Sequence, residues 1–243
     1  MNKLHNKTAL ITGGSKGIGY GIAEALLKEG VNVALTSRQL KSAEDAANQL
    51  AEKYGKKKVL PLKADVRLLI DQTEAVKKII EKFGSIDYVI ANAGLGHFNS
   101  IYSISESEWQ ETIDTNLTGV FYTAKATIEE LKKTKGYFIS ISSLAGTNFF
   151  AGGTAYNASK FGLTGFTQAM MLDVRNDGVS VSTIMPGSVS THFNGNDPNL
   201  KEENEAWKIQ KEDLGELVVD IFKMNKRSLP SKIEIRPSMP RQH

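Results

Sequence analysis

Short runs of apolar, often β-branched residues alternate along the chain with longer segments whose apolar positions recur at helical spacing. Thr8–Thr12 reads as a first strand and Ile18–Glu29 as a helix that Gly30 ends. Val31–Thr36 follows as a second strand, Gln39–Tyr54 as a helix and Lys58–Leu62 as a third strand. Arg67–Phe83 carries Val76, Ile79 and Ile80 on one helical face and leads into a strand at Ile86–Ala91. The pattern then predicts one long helix over Glu106–Lys132, a strand at Tyr137–Ile141 and a helix over Tyr156–Asn176. Strand Val179–Met185, helix Glu212–Met224 and a short strand Lys232–Ile235 complete it. The strands are apolar on both faces, so this alternation predicts an α/β doubly wound parallel sheet of about seven strands with helices on each side. No composition break, linker or repeat interrupts it. The 243 residues are therefore expected to form one domain, although the length alone admits two.

Composition narrows the function classes. Thirty basic residues against 27 acidic leave a net charge of +3, and the lysines are scattered, with 56–58 the longest run. Nucleic acid would want a concentrated basic face and is not expected as a partner. There is no cysteine, which excludes disulfides, thiolate zinc sites and a cysteine nucleophile. The four histidines are dispersed with no H-E-x-x-H, so no metal is expected. No run approaches the ~18 apolar residues of a membrane span, and the first residues lack a signal-like apolar stretch. The expectation is a soluble cytoplasmic protein with no membrane partner. The 21 glycines show no period; they gather at the ends of apolar runs.

The first such cluster follows the first strand: Thr12-Gly13-Gly14-Ser15-Lys16-Gly17-Ile18-Gly19, opening directly into a helix. Its spacing is G-x-x-x-G-x-G rather than G-x-G-x-x-G, but the physics is similar. Gly13 permits the tight exit from the strand, while Gly17 and Gly19 let backbone approach a pyrophosphate and let the helix pack on the sheet. The helix N-terminus supplies amide donors and partial positive charge, so Ser15, Lys16 and Ile18 join the expected cradle. An ordinary strand-to-helix turn would need one glycine. After the second strand stands Thr36-Ser37-Arg38, with no acid until Glu44. An acid there would bind ribose hydroxyls; Ser37 and the planar fork of Arg38, with Lys16 nearby, suit a 2′-phosphate and point to NADP over NAD. Asp65 and Val66 end the third strand and could meet adenine, with Asp65 alternatively serving as a helix cap before Arg67. Asn92-Ala93-Gly94 ends the fourth strand at the same edge.

Tyr156 and Lys160 stand four apart at the start of a predicted helix and so share a face. Ser143 closes the fifth strand, and Asn116 lies inside the preceding long helix. The glycine loop, Asn92-Ala93-Gly94, Asn116, Ser143, Tyr156-Asn157-Ala158-Ser159-Lys160 and Pro186-Gly187, in this order, resemble the short-chain dehydrogenase/reductase family from about residue 5 to 237. Ala91 departs from the pattern, which often has a second Asn there. The resemblance implies a Rossmann fold and a nicotinamide cofactor. It also implies Tyr156 as general acid toward a carbonyl oxygen, and Lys160 holding the nicotinamide ribose while lowering the Tyr156 pKa. Ser143 would bond the substrate oxygen, and Asn116 would bend its helix and hold a relay water. Pro186 and Gly187, at the end of the sixth strand, would line the cofactor site, and Val189 and Thr191 would contact the carboxamide. Assembly into homotetramers, or homodimers, through the helices at 106–132 and 156–176 is implied as well, with Ala124, Ala126, Gly162, Gly165, Ala169 and Met170 as interface candidates.

The expected substrate is a small carbonyl compound or alcohol. Ser143 also invites an acyl-hydrolase reading, but it sits outside G-x-S-x-G, and His192 lies in a polar loop. The alternatives kept open are a 3-oxoacyl-thioester reductase of fatty-acid metabolism, with Lys132, Lys133 and Lys135 as a carrier-docking patch, and a catalytically silent NADP-binding sensor. The polar stretch from His192 to Trp207, within a lid spanning about 188–210, is expected to close on the cleft. Phe149, Phe150, His97, Phe98, Phe193 and Trp207 are candidate pocket walls.

Overall fold

In the computed structural model, which describes residues 3–191, 193 and 205–239, seven parallel strands form one sheet in the order β3-β2-β1-β4-β5-β6-β7. The strands are β1 (Thr8–Ile11), β2 (Asn32–Ser37), β3 (Val59–Lys63), β4 (Tyr88–Ala91), β5 (Tyr137–Ile141), β6 (Ser180–Pro186) and β7 (Lys232–Ile235). The helices are α1 (Gly17–Lys28), α2 (Leu40–Tyr54), α3 (Leu69–Phe83), α4 (Glu106–Ile113), α5 (Gly119–Thr134), α6 (Thr154–Val174) and α7 (Lys211–Lys223). The chain starts in the middle of the sheet, winds outward to β3, then returns beside β1 to build the other half. Ligands of open α/β sheets bind where the strand order reverses, here between the carboxyl ends of β1 and β4.

Strand periodicity explains why both faces are covered. Ala9, Ile11, Val33, Leu35, Ile90, Ile139 and Ile141 point to one side and pack with Ile22 and Leu26 of α1, Leu50 of α2 and Leu214 and Val218 of α7. Their sequence neighbours Leu10, Ala34, Val89 and Phe138 point to the other, against Ile79 of α3, Val120 and Leu131 of α5 and Leu163 of α6. Two cores thus share one sheet, each sealed by its own helices. Among the described residues, no helix is long and apolar enough to cross a membrane.

Helices α1 and α7 meet at a pair of glycines. A Cβ on Gly21 would strike the Lys211 carbonyl, and one on Gly215 would lie 2.8 Å from the Gly21 oxygen. Overpacking of this kind costs about 1–3 kcal/mol. Gly21→Ala is therefore expected to lower the melting temperature by about 3–10 °C for a domain of this size, read by calorimetry or circular dichroism.

One predicted element is divided. The single helix expected over Glu106–Lys132 is two, α4 and α5, joined by a π-helical turn at Asp114–Thr118. Asn116 sits in that turn. Its Oδ1 accepts from the Leu95 amide at 2.9 Å, and its Nδ2 donates to the Leu95 carbonyl at 2.8 Å and to Ser159 Oγ at 3.0 Å. These bonds tie α4 and α5 to the loop after β4 and to α6. The break thereby becomes part of the scaffold beneath the cleft.

Candidate active site

The carboxyl ends of the strands open into one continuous cleft, lined at one end by Gly13, Ser15, Lys16, Gly17, Ile18, Ser37, Arg38, Asp65 and Val66. Its other end holds Asn92, Ala93, Gly94, Ser143, Tyr156, Lys160, Pro186, Gly187, Val189 and Thr191. Of the residues put forward as cofactor, catalytic or pocket-wall candidates, Gly19, Asn116 and His97 do not line it.

The glycine loop is shaped by what a side chain would meet. Gly13 and Gly17 adopt left-handed φ of 63° and 57°, and a Cβ on Gly13 would lie 2.9 Å from the Ala93 backbone. At Gly19 it would lie 2.5 Å from Asn92 Nδ2 and 2.6 Å from the Gly13 oxygen. Gly19 thus serves the close approach of α1 to the sheet, the packing half of its expected role. Asn92 holds the loop in place: its Nδ2 donates to the carbonyls of Thr12 and Gly13 at 2.9 and 3.1 Å. Thr12 Oγ1 in turn accepts from the amides of Asn92 and Ala93 at 3.0 and 3.1 Å. No side chain caps α1 and its first turn carries no acid, so the amides of Gly17 and Ile18 are left for an anion in the cleft.

At the far end of β2, Arg38 projects with more than half its side chain exposed, its guanidinium 3.4 Å from Glu111 Oε1. Glu111 also bonds His97 Nε2 at 3.1 Å and lies 3.5 Å from Arg67. The His97 hydrogen bond, then the Arg38 and Arg67 charges, hold its carboxyl below the usual range. His97 is thereby drawn toward α4 and is not a wall of the pocket. Asp65 does not cap α3, whose N-cap is Leu68, but pairs with Arg67, which donates to it from Nε at 3.0 and 3.1 Å, from a terminal nitrogen at 2.6 Å and from its backbone amide at 3.0 Å. Three donors, with Nε shared between the two oxygens, make four contacts with the carboxylate, and Arg67 holds its pKa down. Arg67 thus engages the carboxylate at the end of the cleft where adenine is expected. Glu111 and Arg67 carried no signal of their own in the sequence. Glu111 reaches this edge from α4, 73 residues along the chain from Arg38.

The reactive groups converge at the ends of β5 and β4. Tyr156 and Lys160, one turn apart on α6, are both buried, and the Lys160 ammonium nitrogen lies 5.7 Å from the Tyr156 ring centre. Lys160 Nζ donates to the Ile141 carbonyl at 3.0 Å, which leaves two of its three N–H donors. Ser143 Oγ accepts from the Ala145 amide at 3.1 Å. Burial pushes the Tyr156 phenol up, and its hydrogen bond to Ser143 opposes this in part. This direction belongs to the protein alone; the lowering expected from Lys160 together with the oxidised nicotinamide concerns the cofactor-bound state. Burial likewise brings Lys160 down to about 8.

The 188–191 segment returns over the glycine loop. Val189 pairs with Ile209, Thr191 lies 3.4 Å from where a Gly17 Cβ would be, and the Gly187 amide donates to the Ile235 carbonyl at 2.9 Å. The ends of the expected lid are thus pinned together. His192 and residues 194–204 between them lie outside the described residues. Lys132, Lys133 and Lys135 lie at the C-terminal end of α5, on the edge of the sheet opposite the cleft. Lys132 pairs with Asp177 and Lys133 with Glu130, at 3.2 and 2.6 Å.

The chain matches the model of the short chain dehydrogenase family over residues 7–201. It is 36% identical to a 3-oxoacyl-(acyl-carrier-protein) reductase of Chlamydia muridarum (strain MoPn / Nigg), with 84% of this chain and 83% of that protein aligned. A solved alcohol dehydrogenase from the archaeon Thermococcus sibiricus, complexed with 5-hydroxy-NADP, superposes with a TM-score of 0.87 at 32% identity over 98% of this chain and 99% of that one. A metagenomic short-chain oxidoreductase in complex with NADP gives 0.83 at 26% identity, over 98% and 99%. With this match over most of its length, on a sheet that gathers the motif residues at one edge, the chain belongs to the short-chain dehydrogenase family of oxidoreductases.

Proposed function

We propose that the protein is an NADPH-dependent carbonyl reductase, acting reversibly as an alcohol dehydrogenase on a small ketone or aldehyde. The observation that carries this reading is the gathering of Ser143, Tyr156 and Lys160 in the same cleft as the glycine loop and Arg38. The residues suit the dinucleotide. Gly13 and Gly17 leave a cradle that a Cβ would fill, the α1 amides face an anion, and Arg38 is an exposed cation at the 2′-phosphate position. Ser37, Lys16, Val66 and the 186–191 segment flank the same channel. The NADP complexes of two structural relatives support the choice of cofactor.

A bound reduced nicotinamide supplies hydride; the rest falls to the protein. Tyr156 donates its phenolic proton to the carbonyl oxygen; burial keeps the phenol protonated in the protein alone, and the positive charge of Lys160 with the bound cofactor would bring it toward the working pH. Ser143, hydrogen-bonded to Tyr156, donates to the same oxygen and stabilises the charge that develops there. The two free N–H donors of Lys160 hold ribose hydroxyls, and its ammonium stabilises the phenolate left behind. Asn116 is a positioning residue. Three hydrogen bonds to Leu95 and Ser159 engage its carboxamide and hold the π-helical turn, from which a relay water would lead to Lys160.

Thioester reduction is the second reading, favoured by the name of the Chlamydia relative. The lysines considered for carrier docking lie on the wrong edge for it. A homodimer or homotetramer through α5 and α6 fits the exposure of Phe121, Phe161 and Leu172, while Ala124 and Met170 are core residues of the monomer. The test is direct. Purified protein with NADPH and a carbonyl panel is expected to consume the reduced cofactor in proportion to alcohol formed. Tight NADPH binding with no turnover on any carbonyl would instead identify a sensor.

A further inference from the structure

The catalytic end of the cleft is walled by aromatic rings whose positions are fixed from several sides. Phe98 packs edge-on against Tyr156 with ring centres 5.1 Å apart, and Phe150 stands 5.8 Å from Phe98. Phe193 adds a third ring, 5.9 Å from Tyr156. Two glycines make room for them. A Cβ on Gly96 would lie 2.8 Å from the Phe98 ring and 3.0 Å from Phe193, and one on Gly153 would lie 2.9 Å from Phe150.

The loops that carry Phe98 and Phe150 are also joined. Asn99 pairs with Gly153 in a parallel bridge. Asn157, next to Tyr156, donates to the carbonyls of Ala145 and Asn148 at 2.8 Å each and accepts from the Phe150 amide at 3.3 Å. Phe98 and Phe150 nevertheless keep 39% and 48% of their surface exposed, so these held rings still present apolar faces to the opening. Rings prearranged in this way lose little freedom when a flat ligand stacks on them.

Charge at this end is already committed. Lys208 is paired with Glu205 at 2.6 Å and Arg236 with Glu234 at 3.0 Å, while Lys16, Arg38, Asp45 and Asp65 line the opposite, adenosine end. Among the described residues lining the catalytic end, none offers an unpaired surface cation to a carboxylate or phosphate. Lys160 is buried beside Tyr156.

We propose that the substrate is a neutral aryl aldehyde or aryl ketone whose ring stacks on Phe98 and Phe150 while its carbonyl oxygen meets Tyr156 and Ser143. This inference rests on the carbonyl-reductase reading. In the reaction the carbonyl carbon gains hydride from NADPH and its oxygen gains the Tyr156 proton, giving a benzylic alcohol and NADP⁺.

The test measures kcat/KM with NADPH for four compounds: benzaldehyde, para-carboxybenzaldehyde, hexanal and acetoacetyl-N-acetylcysteamine. Benzaldehyde is expected to lead each of the others by roughly tenfold, the scale of two modest aromatic contacts. Phe98→Leu and Phe150→Leu keep an apolar side chain at partly exposed positions. Each is expected to lower the benzaldehyde-to-hexanal ratio by about 2- to 12-fold, the range for one ring pair. A ratio unchanged in both variants, or a wild type that prefers hexanal, the carboxylate or the thioester, would overturn the substrate class and leave carbonyl reduction standing. No turnover of any of the four compounds would overturn both readings together.

Discussion

Tyr156→Phe is expected to lower kcat for carbonyl reduction by about two to four orders of magnitude, the usual worth of a positioned general acid, and to leave NADPH binding as in the parent. The substitution removes one oxygen and keeps the ring, which is packed edge-on against Phe98 and near Phe193. The pocket therefore keeps its shape, Lys160 keeps its bond to the Ile141 carbonyl, and what is lost is the transferable proton with the hydrogen bond to Ser143. Steady-state turnover with titration of NADPH fluorescence separates the two effects. Residual turnover within a factor of ten of the parent would mean that another group, or water, protonates the carbonyl oxygen. Loss of NADPH binding would mean that the phenol supports the cofactor site and not the chemistry.

Arg38→Asp is expected to raise KM for NADPH more than tenfold and to leave KM for NADH unchanged or lower. The side chain is the exposed cation at the end of β2, and the replacement puts an anion where the 2′-phosphate would lie. Exposure screens the interaction, which is why the expectation stops at tens and does not reach the thousands of a buried pair. The new carboxylate would also face Glu111, now its partner across 3.4 Å, and this repulsion favours a cofactor lacking the phosphate. A KM for NADPH that does not move would assign the phosphate to Lys16 or Arg67 and remove the argument for NADP drawn from Arg38.

How much of the fold and the site is legible in the sequence depends on how local each signal is. The strands are legible because seven apolar runs are bounded by glycines and polar turns, and because a buried parallel strand needs no partner pattern to declare itself. The glycine loop and the pair Tyr156 and Lys160 are legible for the same reason: each is contained within one or two turns of chain. Asn116 shows where locality ends. The helical period between 106 and 132 does not show the break, which only the family resemblance implied as a bend at Asn116; the bonds that hold it go to Leu95 and Ser159, residues 21 and 43 positions away. Glu111 and Arg67 escape notice likewise, since an acid on a helix face and an arginine after a strand are ordinary until the sheet sets them around Arg38. The direction of the Tyr156 shift is hidden because a neighbouring charge can be read from spacing, whereas the depth of burial cannot. For His97, the bond to Glu111 competes with the cleft for the ring and prevails.

The burial of Lys160 reaches beyond catalysis into the acid–base behaviour of the whole fold. Its folded value near 8, against 10.5 for an ordinary lysine, means that between those limits the unfolded chain holds a proton that the native protein has already released. Conformational stability must then increase with alkalinity across that window, by roughly 3 kcal/mol in total, since below it both states are charged and the native one bears the desolvation penalty. Tyr156 acts in the opposite sense only above its ordinary value of 10, so the first part of the rise stands clear of it. Denaturant melts at pH 8 and 10 are expected to differ in this direction for the parent and to converge for Lys160→Met, which makes the lysine proposed to hold the cofactor ribose a resident weak point of the cofactor-free fold.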